Sequence, residues 1–343
     1  MKRTLSDISI MRLTATMAVV FLHTCNTISH NAGLYSLSYV QKNFFVCGCT
    51  LMNWAVPLFY MISGALLLDS KKEIGLRSIF THYIRRLILV LIIFGVPFAC
   101  MELYMANKHI GIETVLLAFY ATIKGESWSH LWYLYTMIGI YATLPMWKHY
   151  VLNTDRSTQR FVLVVMVVAR LIIPQLNRLL DIKLAFSIPI AEESVLFFLI
   201  GKYLRDKMPN LLYKKRILSM ILIVIFGVEL LICIIFEDGK DYLQYDSPIV
   251  ALIAIIIFAI YSKLEIPKSM VGYVWKLDRL CFGVYIIHPL FINFMYKYLK
   301  ITPLCSDKYY FAMVPLFWIG FAFISFVAAW IMNKITLMNK YVL

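Results

Sequence analysis

Charged side chains are scarce in this chain: Asp, Glu, Lys and Arg make up 15% of 343 residues, apolar residues make up 61%, and mean hydropathy is +0.76. A soluble domain keeps about a quarter of its residues charged, so the shortage excludes that class and selects a polytopic membrane protein. The motifs of soluble catalysis are missing too. With no Gly-rich phosphate loop, no HExxH and no GxSxG, the sequence offers nothing for P-loop, zincin or nucleophile-elbow chemistry. Its seven cysteines, at 25, 47, 49, 100, 233, 281 and 305, include no CxxC and no Cys/His ligand spacing, so no metal is expected. Acidic residues are few, 19 against 33 basic, which gives a net charge of +14. That surplus is spread through short loops with no soluble domain to present a groove, so it points to membrane lipid headgroups and not to nucleic acid. Low-complexity tracts, internal repeats and extended linkers are also absent, which leaves a single membrane domain over 1–343.

What the chain does have is long apolar stretches. About 20 helical residues cross the roughly 30 Å hydrocarbon core, and stretches of this kind fall at about 8–28, 44–68, 86–106, 130–147, 160–177, 186–204, 217–236, 247–264, 280–299 and 310–332. They predict an all-α fold of ten transmembrane helices. Residues 112–123 form a shorter stretch that carries Glu113, expected to lie at the interface. Roughly two-thirds of the 33 Lys and Arg fall in loops on one side of this arrangement, which by the positive-inside rule places both termini in the cytoplasm of a cell (inner or plasma) membrane protein.

The first stretch, ISIMRLTATMAVVFLHTC, contains Arg12 and His23. An Arg near the bilayer centre costs about 2.5–3.5 kcal/mol, so it calls for a partner or a wet cavity. Eleven residues at about 100° each bring the two side chains to one helix face, about 16 Å apart. Arg12 also interrupts what would otherwise read as a signal-peptide core, so an uncleaved span is expected.

Other ionisable groups mark the remaining spans: Arg85 and Arg86 entering the third, His130 at the outer end of the fourth, Arg170 in the fifth, Glu192 and Glu193 in the sixth, Glu229 in the seventh and His288 in the ninth. Arg170 and Glu229 are expected to form an interhelical ion pair. Trp132, beside His130, suits an interfacial aromatic belt. Tyr285 and His288, three residues apart, share a helix face. Because His288 precedes Pro289, its ring serves either a site or the backbone carbonyl that the proline frees. Ser63 and Gly64 are expected to permit close helix packing.

The Arg-x10-His spacing of Arg12 and His23 resembles the signature of the acyltransferase 3 family of integral-membrane O-acyltransferases. Three further stretches resemble that family in order: WAVPLFYMISGALLL at Trp54–Leu68, HLWYLYTMIGIY at His130–Tyr141 and RLCFGVYIIHPLF at Arg279–Phe291. The resemblance extends over nearly the whole chain and fits members made of the membrane domain alone. The chain departs from the family where many relatives carry Arg-x-x-Arg: its THYIRRL has adjacent Arg85 and Arg86, with His82 three residues before Arg85. Asn53 also stands where polysaccharide-modifying relatives often have a basic residue.

The resemblance implies transfer of an acyl group, above all acetyl from acetyl-CoA, to a hydroxyl of a surface glycan or a lipid-linked glycan precursor. Such a reaction needs a base for the hydroxyl proton and cationic groups for an anionic donor. His23 suits the first task and Arg12 supports it. Arg85 and Arg86 suit the donor's phosphates. His130, Trp132, Glu193, Tyr285 and His288 are candidates for substrate contact. Transport or flipping of a glycan or small anion is the rival reading, because a polar face through a helix bundle serves that task as well.

Overall fold

The structure is a computed structural model and describes residues 6–30, 35–69, 73–107, 111–181, 191–207, 214–236, 239–262, 264, 266–305 and 308–342. All regular secondary structure among the described residues is helical. This is what a chain in hydrocarbon requires, since a helix satisfies its backbone groups within one segment. In chain order the helices are α1 (Ser6–His30), α2 (Tyr39–Thr50), α3 (Ala55–Leu67), α4 (Leu76–Ala106), α5 (Ile112–Lys124), α6 (Trp132–Asn153), α7 (Arg156–Leu180), α8 (Glu193–Lys207), α9 (Lys215–Ile235), α10 (Pro248–Tyr261), α11 (Lys268–Asp278), α12 (Cys281–Asn293), α13 (Tyr310–Lys334) and α14 (Thr336–Tyr341).

Among the described residues, six helical stretches are long and apolar enough to cross a bilayer: α1, α2 with α3, α4, α7, α9 and α13. A seventh is the pair Lys268–Asp278 and Cys281–Cys305, bent by 55° at the break between its halves. The chain is therefore a multi-pass membrane protein. The other predicted stretches are helical but shorter or less apolar: α6 has 22 residues, α8 has 15 and α10 has 14. A helix of 14 residues extends about 21 Å, so length and composition support six or seven crossings where hydropathy led us to expect ten. Residues 186–190 of the sixth predicted stretch lie outside the described residues. α5, predicted to be interfacial, has 13 residues and ends in a left-handed cap at Gly125 (φ 80°). At about 20 Å it is also too short to cross the core unaided.

The chain gathers into two compact units, Met1–Asp69 with Thr154–Phe326, and Ser70–Asn153 with Val327–Leu343. In the first, α3 and α8 are buried around most of their circumference, from Ala55 to Met61 except Phe59 and from Val195 to Ile200. Helices apolar on every side belong in the middle of a bundle. Two glycines let these two backbones touch: a methyl at Gly64 would overlap the carbonyl oxygen of Phe198, and one at Gly201 that of Met61. α7, α9 and α13 instead carry exposed apolar side chains such as Phe161, Ile223 and Phe323, which suit contact with lipid.

α7 starts at a well-formed cap. Asp155 accepts hydrogen bonds from the backbone N–H of Ser157 (2.9 Å) and Thr158 (3.4 Å) and from the Thr158 hydroxyl. These bonds, the Thr158 hydroxyl first, hold the Asp155 carboxyl below the usual carboxylate range. A lowered folded pKa makes the cap's contribution complete above the unfolded value of about 3.9 and lost as pH falls through the folded value. Protection of the Ser157 and Thr158 amides, measured against their intrinsic exchange rates, is expected to fall on acidification in that window, and Asp155→Ala to remove that dependence. Equal exchange in wild type and variant at every pH would contradict the assignment.

In the second unit, α4 contains two π-helical turns, Ile79–Ile84 and Leu91–Gly95. The latter brings Gly95 against Thr122 and Leu131, and the Gly95 carbonyl accepts from the Ser127 hydroxyl at 2.7 Å. Trp128 stacks on Phe98 with ring centroids 4.1 Å apart and donates to Glu102 Oε1 at 3.0 Å. A widened turn, a glycine and an anchored tryptophan thus fix the segment that leads into α6.

Candidate active site

α1 carries Arg12 and His23 on one face, as the sequence led us to expect, and Ser9 and Thr16 extend that face into a ladder. Ser9, Arg12, Thr16 and His23 recur at intervals of three, four and seven residues, which keeps them along one helix face. The structure supplies the opposite side from α11 and α12. At one end, Asp278 accepts from Arg12 Nη1 at 2.5 Å and from the Ser9 hydroxyl at 2.8 Å. One turn on, the Thr16 hydroxyl donates to the Arg12 carbonyl (2.8 Å), and on the opposite side the Cys281 thiol donates to the Leu277 carbonyl (3.6 Å). At the far end, the rings of His23 and His288 meet with centroids 5.1 Å apart. Tyr285 stands beside His288, with ring centroids 6.4 Å apart. Numbering rises together along both sides, so α1 and α12 run parallel here.

His288 is wholly buried. Its Nδ1 lies 2.9 Å from the Val284 carbonyl, which can only accept, so Nδ1 carries a proton and donates it there, which leaves Nε2 as the acceptor whenever the ring is neutral. The carbonyl deprived of its helical donor by Pro289 is that of Tyr285, four residues earlier. His288 therefore does not answer the proline's gap; its ring is fixed through the neighbouring carbonyl and set against His23.

A second ion pair secures the start of α1. Arg205, on α8, donates to buried Asp7, and Lys202 pairs with Asp206 at 2.9 Å. Glu193 stands half-buried in the first turn of α8, with Glu192 exposed before it. A carboxylate there complements the helix's partial positive end, and among the described residues the contacts around His23 do not include it. The expected Arg170–Glu229 ion pair does not form: Arg170 donates through Nε to the Ala191 carbonyl at 2.9 Å. Glu229 is fully buried, with no hydrogen-bond partner for either carboxylate oxygen among the described residues.

The other candidates belong to the second unit. Arg85 lies over the Tyr341 ring, 5.5 Å from its centroid, and Arg86 Nε donates to the Val342 carbonyl at 2.8 Å. Both arginines thus engage the segment around α14, a contact that no local pattern in the chain foretells. The Tyr341 phenol is held below its ordinary range by a hydrogen bond and the charge of Lys340, with Arg85 adding to the effect. His82 is exposed and meets the Thr81 hydroxyl at 2.9 Å. His130 is buried against Phe98 and Trp128, and Trp132 is partly exposed beside Tyr133.

The model of the acyltransferase 3 family, described as an acyltransferase domain, matches residues 5–334. The chain belongs to that family. It is thus a membrane acyltransferase, and the match takes in the Arg12–His23 ladder together with its α12 partners. No curated protein and no solved structure matches the chain.

Asp278, Ser9 and Thr16 are the members of this acyltransferase's ladder that nothing in the sequence singles out. Asp278 sits next to Arg279 in what reads as a cytoplasmic loop, and Ser9 is an ordinary small polar residue. The available signal was that Arg12, placed in an apolar segment, needed a carboxylate from elsewhere in the chain.

Proposed function

We propose that this acyltransferase moves an acyl group, acetyl from acetyl-CoA, to a hydroxyl of a surface glycan or its lipid-linked precursor, in a cell membrane crossed ten times with both termini in the cytoplasm. The single observation that carries the reading is the His23–His288 pair, set at one end of a buried polar ladder whose other end is Arg12 bound to Asp278. The positive-inside distribution supports the topology. α8 and α10, short but buried among other helices, need not match the bilayer thickness as an isolated span would.

In this reading a neutral His23 ring takes the proton of the attacking hydroxyl. The oxygen–carbon bond to the acyl group forms, the carbon–sulfur bond breaks, and the proton passes to the departing thiolate. His288 keeps the His23 ring in place and presents an acceptor nitrogen beside it. Arg12 offers directed N–H donors to negative charge on the donor or on the developing oxyanion. Arg85 and Arg86 serve the donor's phosphates. Glu193, His130, Trp132 and Tyr285 are the candidates for acceptor contact. No metal takes part in the scheme.

Arg86→Ala is expected to raise the KM for acetyl-CoA about tenfold with a smaller change in kcat, the loss of a charge-assisted hydrogen bond. An unchanged KM would restrict Arg86 to holding the Val342 carbonyl.

The transport reading draws on one observation, the 55° break between α11 and α12, because interrupted helices are common at transporter sites. The test that separates the two uses purified protein and isotopically labelled acetyl-CoA. Binding of CoA and transfer or hydrolysis of label support the acyltransferase scheme. Glycan translocation without either supports transport.

A further inference from the structure

We propose that Asp278 is a positioning residue for Arg12, and that Arg12 acts as an oriented set of hydrogen-bond donors and not as a free cation. This deepens the acyl-transfer reading and rests on it. Asp278 closes α11 at the break before α12, and its side chain is only 9% exposed. A carboxylate so placed needs compensation, and both of its oxygens have it: Oδ1 from Arg12 and Oδ2 from Ser9. The two donors lie three residues apart on α1, so one carboxylate pins two successive positions of the helix that carries His23.

The Arg12 side chain remains 29% exposed despite the pairing. One Nη1 contact does not use up a guanidinium with five N–H donors, so Arg12 is held on one side and open on the other. The pair is formally neutral. Attraction of a polyanionic donor by net charge is therefore weak at this position, and what Arg12 supplies is direction, through a planar fork that lysine does not have. A purely structural pair would predict something different: substitutions on either side would lower protein levels without being coupled in catalysis.

The test is a double-mutant cycle on the full chain in membranes, with labelled acetyl-CoA transfer measured at matched protein levels. Asp278→Asn keeps the shape and removes the charge, and Arg12→Lys keeps the charge and removes the fork. Each single change is expected to lower kcat/KM about ten- to a hundredfold, the scale of a misplaced contact group. The double variant is expected to fall no further than Arg12→Lys alone, and Asp278→Glu to recover part of the loss. If Asp278→Asn does not accumulate, Ser9→Ala takes its place in the cycle, with a smaller loss and the same coupling. Wild-type activity in both Asp278→Asn and Ser9→Ala, or a double variant whose loss is the product of the two single losses, overturns the proposal while leaving the acyl-transfer reading intact. Absence of transfer and of CoA binding in the wild type overturns that reading itself and this assignment with it.

Discussion

Replacing His23 by alanine is expected to reduce acyl transfer by about 10²–10⁴-fold at unchanged membrane levels, the range that a positioned general base contributes. The ring meets His288 at 5.1 Å between centroids, and His288 is itself fixed by its bond to the Val284 carbonyl. Alanine removes the imidazole that α1 brings against His288 at this end of the ladder, and α1 and α12 retain their other contacts. The deficit belongs in kcat, because a base acts in the transition state and adds little to the binding of either substrate. Initial rates of label incorporation at saturating acetyl-CoA measure it directly. A variant that transfers at the wild-type rate would remove His23 from the reaction and return it to helix packing.

The second large effect concerns the bundle itself. Gly64→Val or Gly201→Val is expected to eliminate folded protein, with a cost above about 4 kcal/mol, the range reached only by severe structural conflicts. At both positions the obstacle to a side chain is a carbonyl on the opposing backbone, Phe198 for Gly64 and Met61 for Gly201, and a backbone cannot move aside as a rotamer can. α3 and α8 would have to separate, which would open the centre of the first unit. Gly139→Ala is the matched control, since a methyl there has nothing within 4 Å. It is expected to change stability by less than about 1 kcal/mol, in the stabilising direction if at all. Size-exclusion profiles and thermal midpoints of the detergent-solubilised proteins distinguish these outcomes. Monodisperse protein from both α3 and α8 variants would show that the crossing relaxes at little cost.

Neither effect was equally legible along the chain. Arg12 and His23 were placed on one face by helical periodicity, because an α-helix fixes that angle once the segment is known to be helical. Gly64 was expected to serve packing, but its counterpart Gly201 carries no such mark: a lone glycine in an apolar run looks the same whether it faces lipid or another backbone. The Arg170–Glu229 pairing failed for a related reason. Opposite charges on two spans are a statement about composition, and Arg170 found a carbonyl instead. The predicted ninth span begins at 280, close to where the structure breaks the helix, and its functional carboxylate, Asp278, lies just before that boundary.

By itself the sequence determined that this is an all-helical multi-pass membrane acyltransferase with one polar face on its first helix. The first two conclusions follow from hydropathy, the polar face from helical periodicity, and the activity from the resemblance of its motifs to the acyltransferase 3 family. Only the tertiary structure decided that Asp278 and Ser9 hold Arg12, that His288 meets His23, and that Arg85 and Arg86 engage the segment at Tyr341 and Val342. The physical reason is the distance between partners in the chain. Residues 12 and 278, or 23 and 288, are brought together by how helices cross and which faces they bury, and short-range periodicity carries no information about a partner more than 250 residues away.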